Sequence, residues 1–337
     1  MSVLLLNRAQ VKSVIRMEDV IREVRNVYRL KSEGMSVIWP LVNYEFTDQH
    51  AAMDIRSGYV KGAQLHGLKM LNNFPSNREK GLPPFNGIMM VYDSNTGIPI
   101  GILDATYITN MRTGAAGALG VDLLARKDAA TLFVLGAGKQ APFQIAATLL
   151  LRPGIRKVYV ADPPAPENAV RFAEGLPGLL AADFGIDASG VSFEAAADLA
   201  PAVGESDAII TVTPSRKPVI RKEWLKKGVH LSCLGSDMES KQEIESAIFQ
   251  GAGIYADDRA QCIRVGEMEL PIKEGVISPE DIAGEIGDLI AGKVPGRRDN
   301  EQTTIFDATG LYILDLVTAR VAIDRAREAG IGIQADL

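Results

Sequence analysis

The stretch 131–141 limits what this chain can fold into more than any other. The apolar-rich run Thr131-Leu132-Phe133-Val134-Leu135 leads straight into Gly136-Ala137-Gly138-Lys139-Gln140-Ala141, and a helical pattern follows to Leu151. Residues 157–160 read as a second strand, with Asp162 just past its end. Strand, glycine turn, helix, strand and terminal acid fall in the order of a dinucleotide-binding unit, in its G-x-G-x-x-A form. Gly136 permits the tight turn, Gly138 lets a pyrophosphate approach the backbone, and Ala141 lets the helix pack close to the strand. The helix N-terminus offers N–H groups to phosphate charge, so Gly136, Gly138, Lys139 and Gln140 are candidate cofactor-binding residues. Asp162 offers a carboxylate to an adenosine ribose. That favours NAD, because a 2′-phosphate would meet a like charge, while the nearby Arg156 and Lys157 keep NADP open. A glycine turn with no ligand is the plainer reading, and the ordered sequence of all five parts weighs against it.

Alternation of strand and helix continues beyond this unit. Strand patterns recur at 191–193, 208–213, 230–234 and Gly253–Ala256, with one more at 303–306. Such alternation implies a parallel sheet covered on both faces. The opening third reads differently. A short apolar strand (Ser2–Leu6) precedes a helix over 19–31, where Val20, Ile21, Val24, Val27 and Tyr28 recur at helical spacing. Short β-like runs follow at 36–39, 50–55 and 65–72. Those at 87–92 and 98–103 flank the hairpin signal Asp93-Ser94-Asn95-Thr96-Gly97. An Ala- and Gly-rich helical connector spans 105–125, and an amphipathic helix over 311–329 is stopped by Gly330. The expected class is α/β: a Rossmann-type doubly wound parallel sheet inserted in an α+β domain. A length of 337 residues suits two domains.

Charge and composition narrow the partners. A net charge of -6 without a long basic run argues against nucleic acid, whose binding rests on clustered Lys and Arg. No stretch reaches the roughly 20 apolar residues of a membrane-spanning helix. Residues 1–6 lack a basic leader and a cleavage site, so they read as a first strand and not a signal peptide. Cys233 and Cys262 are isolated, as expected of free thiols in a cytoplasmic protein. Together with the scattered His50, His66 and His230 they form no metal-binding spacing.

Further segments, taken in order, carry a resemblance. They are Gly67-Leu68-Lys69, Asn86-Gly87, Met111-Arg112-Thr113-Gly114-Ala115-Ala116, the glycine turn with Gln140, Thr211-Val212-Thr213-Pro214-Ser215, Leu234-Gly235-Ser236-Asp237 and Phe306-Asp307-Ala308-Thr309-Gly310. With these the chain resembles, over nearly its whole length, the ornithine cyclodeaminase/mu-crystallin family. The resemblance implies a dinucleotide-binding domain, 121–310, inserted in a substrate-binding and dimerisation domain made of 1–120 and 311–337. It implies a homodimer that transfers hydride at the α-carbon of a small amino or imino acid, as a dehydrogenase or an imine reductase using NAD(P). Two alternatives come with it: an ornithine- or lysine-type cyclodeaminase with catalytic NAD, and a crystallin-like binding protein without turnover. The same residues serve the first two, so spacing does not separate them.

Residue roles follow from the resemblance. Asp237 is the implied acid/base, placed after a parallel strand where open sheets gather their sites; the plainer reading is an N-cap for a following helix. Lys69 sits in an otherwise apolar strand, where a lysine is seldom buried without a partner. It would hold the substrate carboxylate or polarise the imine; otherwise its amine snorkels to water. Arg112 is implied at the cofactor pyrophosphate, where a planar fork suits phosphate oxygens, against a surface salt bridge. Thr211, Thr213 and Lys241 match positions near the nucleotide. One departure stands out. The family's Pro-x-Arg, whose arginine grips the substrate carboxylate, is replaced by Trp39-Pro40-Leu41-Val42-Asn43-Tyr44. Arg56, on a neighbouring strand, is the candidate for the missing cation, against a simple pairing with Asp54.

Overall fold

The computed structural model describes residues 2–336. The chain opens with β1 (Ser2–Leu6), α1 (Arg8–Val14), α2 (Met17–Ser32), β2 (Ser36–Ile38), β3 (Val42–Phe46), β4 (Ala51–Val60), β5 (Leu65–Asn73), β6 (Phe85–Asp93) and β7 (Pro99–Asp104). Next come α3 (Ala105–Leu124), β8 (Thr131–Leu135), α4 (Ala141–Leu151), β9 (Lys157–Ala161), α5 (Pro166–Phe184), β10 (Ser192–Ala195), α6 (Leu199–Glu205) and β11 (Ala208–Thr211). Then follow β12 (Arg216–Ile220), β13 (His230–Cys233), β14 (Gln242–Ile244), β15 (Gly253–Ala256), α7 (Arg259–Val265) and α8 (Glu269–Lys273). The chain finishes with β16 (Ile282–Glu285), α9 (Ile286–Ile290), β17 (Thr304–Asp307), α10 (Tyr312–Ala329) and β18 (Ile333–Asp336). It divides into two compact units. One runs to Arg112 and resumes at Leu311; the other is Thr113–Gly310. The division falls inside α3, eight residues before the change of pattern at 120.

The first unit is a mixed sheet in the order β18-β1-β7-β6-β5-β4-β2, with β3 also on β4. Strands β4 to β7 form an antiparallel meander. Antiparallel strands alternate their two faces, and here the alternation separates two environments. Val60, Leu65, Leu71, Met89, Val91 and Leu103 are buried on one face, which α10 covers. Gly67 makes this packing possible: a Cβ there would stand 2.8 Å from the Tyr312 hydroxyl and 2.2 Å from the Met90 carbonyl oxygen. On the opposite face Val42, Ile55, Met70 and Ile88 are directly registered neighbours across four strands. Of these, Val42, Met70 and Ile88 are exposed.

The second unit holds an eight-stranded sheet in the order β10-β9-β8-β11-β13-β17-β15-β16. Every pairing in it is parallel. Chain order reverses direction between β8 and β11, the topological switch point where doubly wound sheets place ligands. Helices on both sides bury both faces, so the strands read as continuous apolar runs. Leu132 and Val134 pack with Ile145, Leu149, Leu176 and Leu180, whereas Phe133 and Leu135 pack with Ile209, Leu231 and Ile305. Cys233 and Cys262 are free and buried. No helix among the described residues is long and apolar enough to cross a membrane.

Three elements depart from the sequence reading for local reasons. Helix α1 is only seven residues long, too short to display a period, and is started by a capping box between Asn7 and Gln10. Strand β4 runs on to Val60 through Arg56-Ser57-Gly58 because β5 pairs with it residue by residue. Helix α5, which the sequence reading did not place, starts at Pro166, using proline where the first-turn N–H is not needed.

Candidate active site

The glycine turn lies at the switch point of the parallel sheet. The Gly136 N–H donates to the Ala161 carbonyl at 2.7 Å, and the Val212 N–H to that of Leu135 at 2.9 Å, tying the ends of β8, β9 and β11 together. Gly136 has φ +111°, a conformation side chains rarely adopt, and a Cβ would meet the Val212 carbonyl oxygen at 3.1 Å. A Cβ on Gly138 would meet nothing within 4 Å, which leaves its backbone open to a bulky group. Helix α4 begins here with no side-chain cap on its N-terminus, the arrangement that receives a phosphate. Lys139 is exposed in the turn and Gln140 occupies the N-cap position. At the end of β9, Asp162 accepts a hydrogen bond from Asn168 at 3.3 Å. Arg156 and Lys157 do not reach it: they stand at the opposite end of this strand, ~15 Å away at ~3.3 Å per residue. Lys157 is held by Glu194 and Tyr159. The turn, the open backbone and the unopposed acid therefore fit NAD.

Beyond β11 and β13, a buried carboxylate organises the neighbouring loops. Glu243 accepts from the Thr211 hydroxyl at 2.6 Å, the Thr213 N–H at 2.6 Å and the Gly235 N–H at 2.9 Å. The Thr211 hydroxyl is thus committed inward, and Thr213 is fixed through its backbone. Burial raises the Glu243 pKa, partly offset by those donors. In turn, Glu267 accepts the N–H groups of Glu243 and Ile244, both at 2.7 Å. Sequence reasoning passed over Glu243 and Glu267; Glu243 stands in the short strand β14 among polar neighbours that give no signal of its burial.

Asp237 follows β13 in the loop so arranged. No helix follows it, and the next element is β14, so the N-cap reading does not apply. Its side chain is 40% exposed, and Lys241 donates to its Oδ1 at 2.7 Å and to the Gly235 carbonyl at 3.3 Å. Lys241, read from the sequence as a cofactor contact, is here the partner of Asp237.

In the first unit the cations gather. Lys69 is 0% exposed on the inner face of β5, so its amine does not snorkel to water. Its Nζ donates to Asp315 Oδ1 at 2.8 Å and to Thr109 Oγ1 at 3.2 Å. Arg112 Nε, buried on α3, lies 3.3 Å from the same Oδ1. Arg56 is the registered neighbour of Lys69 across β4 and β5 and therefore shares its face. Arg56 also pairs with Asp54 at 3.2 Å, so the simple pairing and the shared face occur together. Burial lowers the Lys69 pKa to about 8; Asp315 raises it, while Arg112 and Arg56 push it down. Asp315 was not read from the sequence. Its signal was a lone acid inside the apolar run Tyr312-Ile313-Leu314-Asp315-Leu316-Val317.

Comparison with known proteins agrees with this geometry. The sequence profile of the ornithine cyclodeaminase/mu-crystallin family matches residues 1–330. The chain is 36% identical to the alanine dehydrogenase of Archaeoglobus fulgidus over 335 residues, covering 98% of each chain. An archaeal alanine dehydrogenase dimer with bound NAD superposes with a TM-score of 0.90 at 33% identity, covering 100% of both chains. The Thermococcus litoralis Delta(1)-pyrroline-2-carboxylate reductase, solved with NADH and L-proline, gives 0.90 at 29% identity, covering 98% of this chain and 100% of that one. With a glycine turn built for NAD, a loop carboxylate at Asp237 and a buried lysine at position 69, the chain belongs to the ornithine cyclodeaminase/mu-crystallin family.

Proposed function

We propose that the protein is an NAD-dependent oxidoreductase acting at the α-carbon of a small amino or imino acid. The observation that carries this reading is a surplus of positive charge held out of water. Lys69 and Arg112 share one buried carboxylate, Asp315, and Arg56 stands in register beside Lys69. Burying an uncompensated cation is costly, and an anion arriving there relieves that cost. A substrate carboxylate has the right charge and accepts hydrogen bonds from both an ammonium and a guanidinium.

NAD, when bound, supplies the nicotinamide carbon that accepts or returns hydride. The protein's own residues do the rest. Gly136, Gly138 and the N-terminus of α4 receive the pyrophosphate, and Asp162 takes the ribose hydroxyls. Lys69 and Arg56 hold the substrate carboxylate. Asp237 accepts the proton of the substrate amine during oxidation and gives it back during imine reduction. Lys241, on Oδ1, keeps that carboxylate in place and leaves Oδ2 for the proton. The exposed apolar row Val42, Met70 and Ile88 is the surface through which two copies pair.

The test is absorbance at the reduced-nicotinamide band with NAD and a panel of alanine, proline, ornithine and lysine, with ammonia release followed in parallel. Accumulating NADH is the expected result. Ammonia without NADH would replace this reading with a cyclodeaminase. A protein that binds NAD and turns over neither amino acids nor, with NADH, imines would remove catalysis altogether. Asp237→Asn should lower kcat by about 10²- to 10⁴-fold, the usual worth of a positioned acid/base; near-normal turnover would take Asp237 out of the mechanism.

A further inference from the structure

Asp315 is the centre of the buried cluster. It lies in the first turn of α10 and is 0% exposed. Its Oδ1 receives the Lys69 ammonium at 2.8 Å and the Arg112 Nε at 3.3 Å, with the Thr109 hydroxyl at 3.1 Å. Its Oδ2 has no hydrogen-bond partner among the described residues. The groups facing Lys69 come from three directions: Arg56 on β4, Arg112 and Thr109 on α3, and Asp315 on α10. Tyr312, one turn before Asp315 on α10, is also near this carboxylate, and burial together with Asp315 holds its hydroxyl protonated. Across β6 the registered neighbour of Lys69 is Met89, which carries no charge.

Among these groups Asp315 alone favours the ammonium form of Lys69. Burial and the two guanidinium groups all oppose it. Asp315 in turn stays ionised: burial raises its pKa, but Arg112 and Lys69 outweigh that and leave it lowered. The helix N-terminus beneath it favours an anion as well. We propose that Asp315 is a positioning residue that holds Lys69 as a cation and fixes its Nζ on the inner face of β5, ready for an anionic substrate group. The part concerning the substrate rests on the function proposed above, while the part concerning the charge of Lys69 does not.

The experiment separates the two. The full-length protein is labelled at lysine Cε, the Lys69 signal is assigned with Lys69→Met, and the pH is raised from 6 to 10. Wild-type Lys69 should titrate near 8. In Asp315→Asn the midpoint should fall by at least one pH unit, and Asp315→Glu should restore most of it. The Michaelis constant for the amino acid, measured against pH, should show its break at the same midpoint in each variant. An unmoved Lys69 midpoint in Asp315→Asn overturns the proposal. A moved midpoint with an unmoved Michaelis-constant profile leaves Asp315 as the holder of the charge and removes Lys69 from substrate binding. Should Asp315→Asn fail to fold, labelling aspartate Cγ in the wild type serves instead. The Asp315 signal must then respond at the Lys69 midpoint while staying ionised, and a flat signal refutes the coupling.

Discussion

Asp307→Asn should change how stability depends on pH, with a sign and size set by the structure. Asp307 ends β17 and is 0% exposed. Its Oδ2 accepts the Met268 N–H at 3.0 Å, and its Oδ1 has no partner among the described residues. Burial raises its pKa from 3.8 to about 8, the backbone donors oppose this, and the Asp257 and Glu243 carboxyls add to it. The folded protein therefore keeps a proton that the unfolded chain has released. Stability from this group is complete below the unfolded value and is lost as pH rises through the folded one. Each unit of separation is worth ~1.4 kcal/mol, so about 2 kcal/mol is lost between pH 6 and pH 8. In urea, with a slope of ~3 kcal/mol/M, that is a fall of about 0.7 M in midpoint. Asparagine imitates the protonated acid, because its amide oxygen still accepts from Met268. The variant should lose this pH slope and keep the slopes that arise elsewhere. Burial keeps His230 neutral and hydrogen-bonded to Thr304 and Ser232, and its contribution is common to both proteins. Equal slopes for wild type and Asp307→Asn would refute the assignment of the proton to this carboxyl.

Substitutions at the two turn glycines should separate strain from ligand contact. Gly136→Ala forces a Cβ against Val212 and Thr213 at φ +111°, so it should cost about 1–3 kcal/mol in thermal unfolding and weaken NAD as well. Gly138→Ala meets open space and should leave the melting temperature unchanged while weakening NAD by about tenfold or more in calorimetry; normal binding would remove the pyrophosphate from this turn. Arg56→Ala should raise the Michaelis constant for the amino acid by about tenfold or more, the worth of a charge-assisted hydrogen bond. An unchanged constant would assign Arg56 to Asp54 alone. Ile88→Lys, at a side chain that is 58% exposed, should convert a dimer to a monomer in light scattering, and an unaltered mass would exclude this face.

The parallel-sheet unit was the more legible part of the sequence, and the reason is its period. Strands buried on both faces read as unbroken apolar runs, and glycine turns mark where β8 gives way to α4. The first unit hid more. Helix α1 is set by a cap and not by a period, and β3, Val42-Asn43-Tyr44-Glu45-Phe46, alternates so weakly that only its pairing with β4 identifies it. Arg56 could be guessed from chemical need, but its alignment opposite Lys69 is a matter of register, which single-strand patterns do not carry. Asp315 and Glu243 lay hidden for a related reason. Asp315 is one acid in an apolar run and Glu243 one of several in a polar stretch, and neither segment says which distant donors will come to meet it.

Asp315 and Glu243 are buried in different ways, and the difference separates charge from scaffold. Asp315 is met by an ammonium and a guanidinium, so its pKa is lowered and the cluster stays ionised. Glu243 and Glu267 accept from N–H and O–H donors, and burial raises both. A neutral donor satisfies the geometry of a carboxylate but returns only part of the solvation lost on burial. Burial shifts Glu243 and Glu267 toward the protonated form, and Glu243 braces the loops that bear Thr213 and Gly235. Charge retention is the outcome around Lys69, where an anion has to be held. Replacing Glu243 with Gln should therefore be tolerated far better than replacing Asp315 with Asn. The amide oxygen can still accept two of the three donors now bound by Glu243, whereas the neutral residue at 315 would leave Arg112 and Lys69 facing each other without a counter-charge.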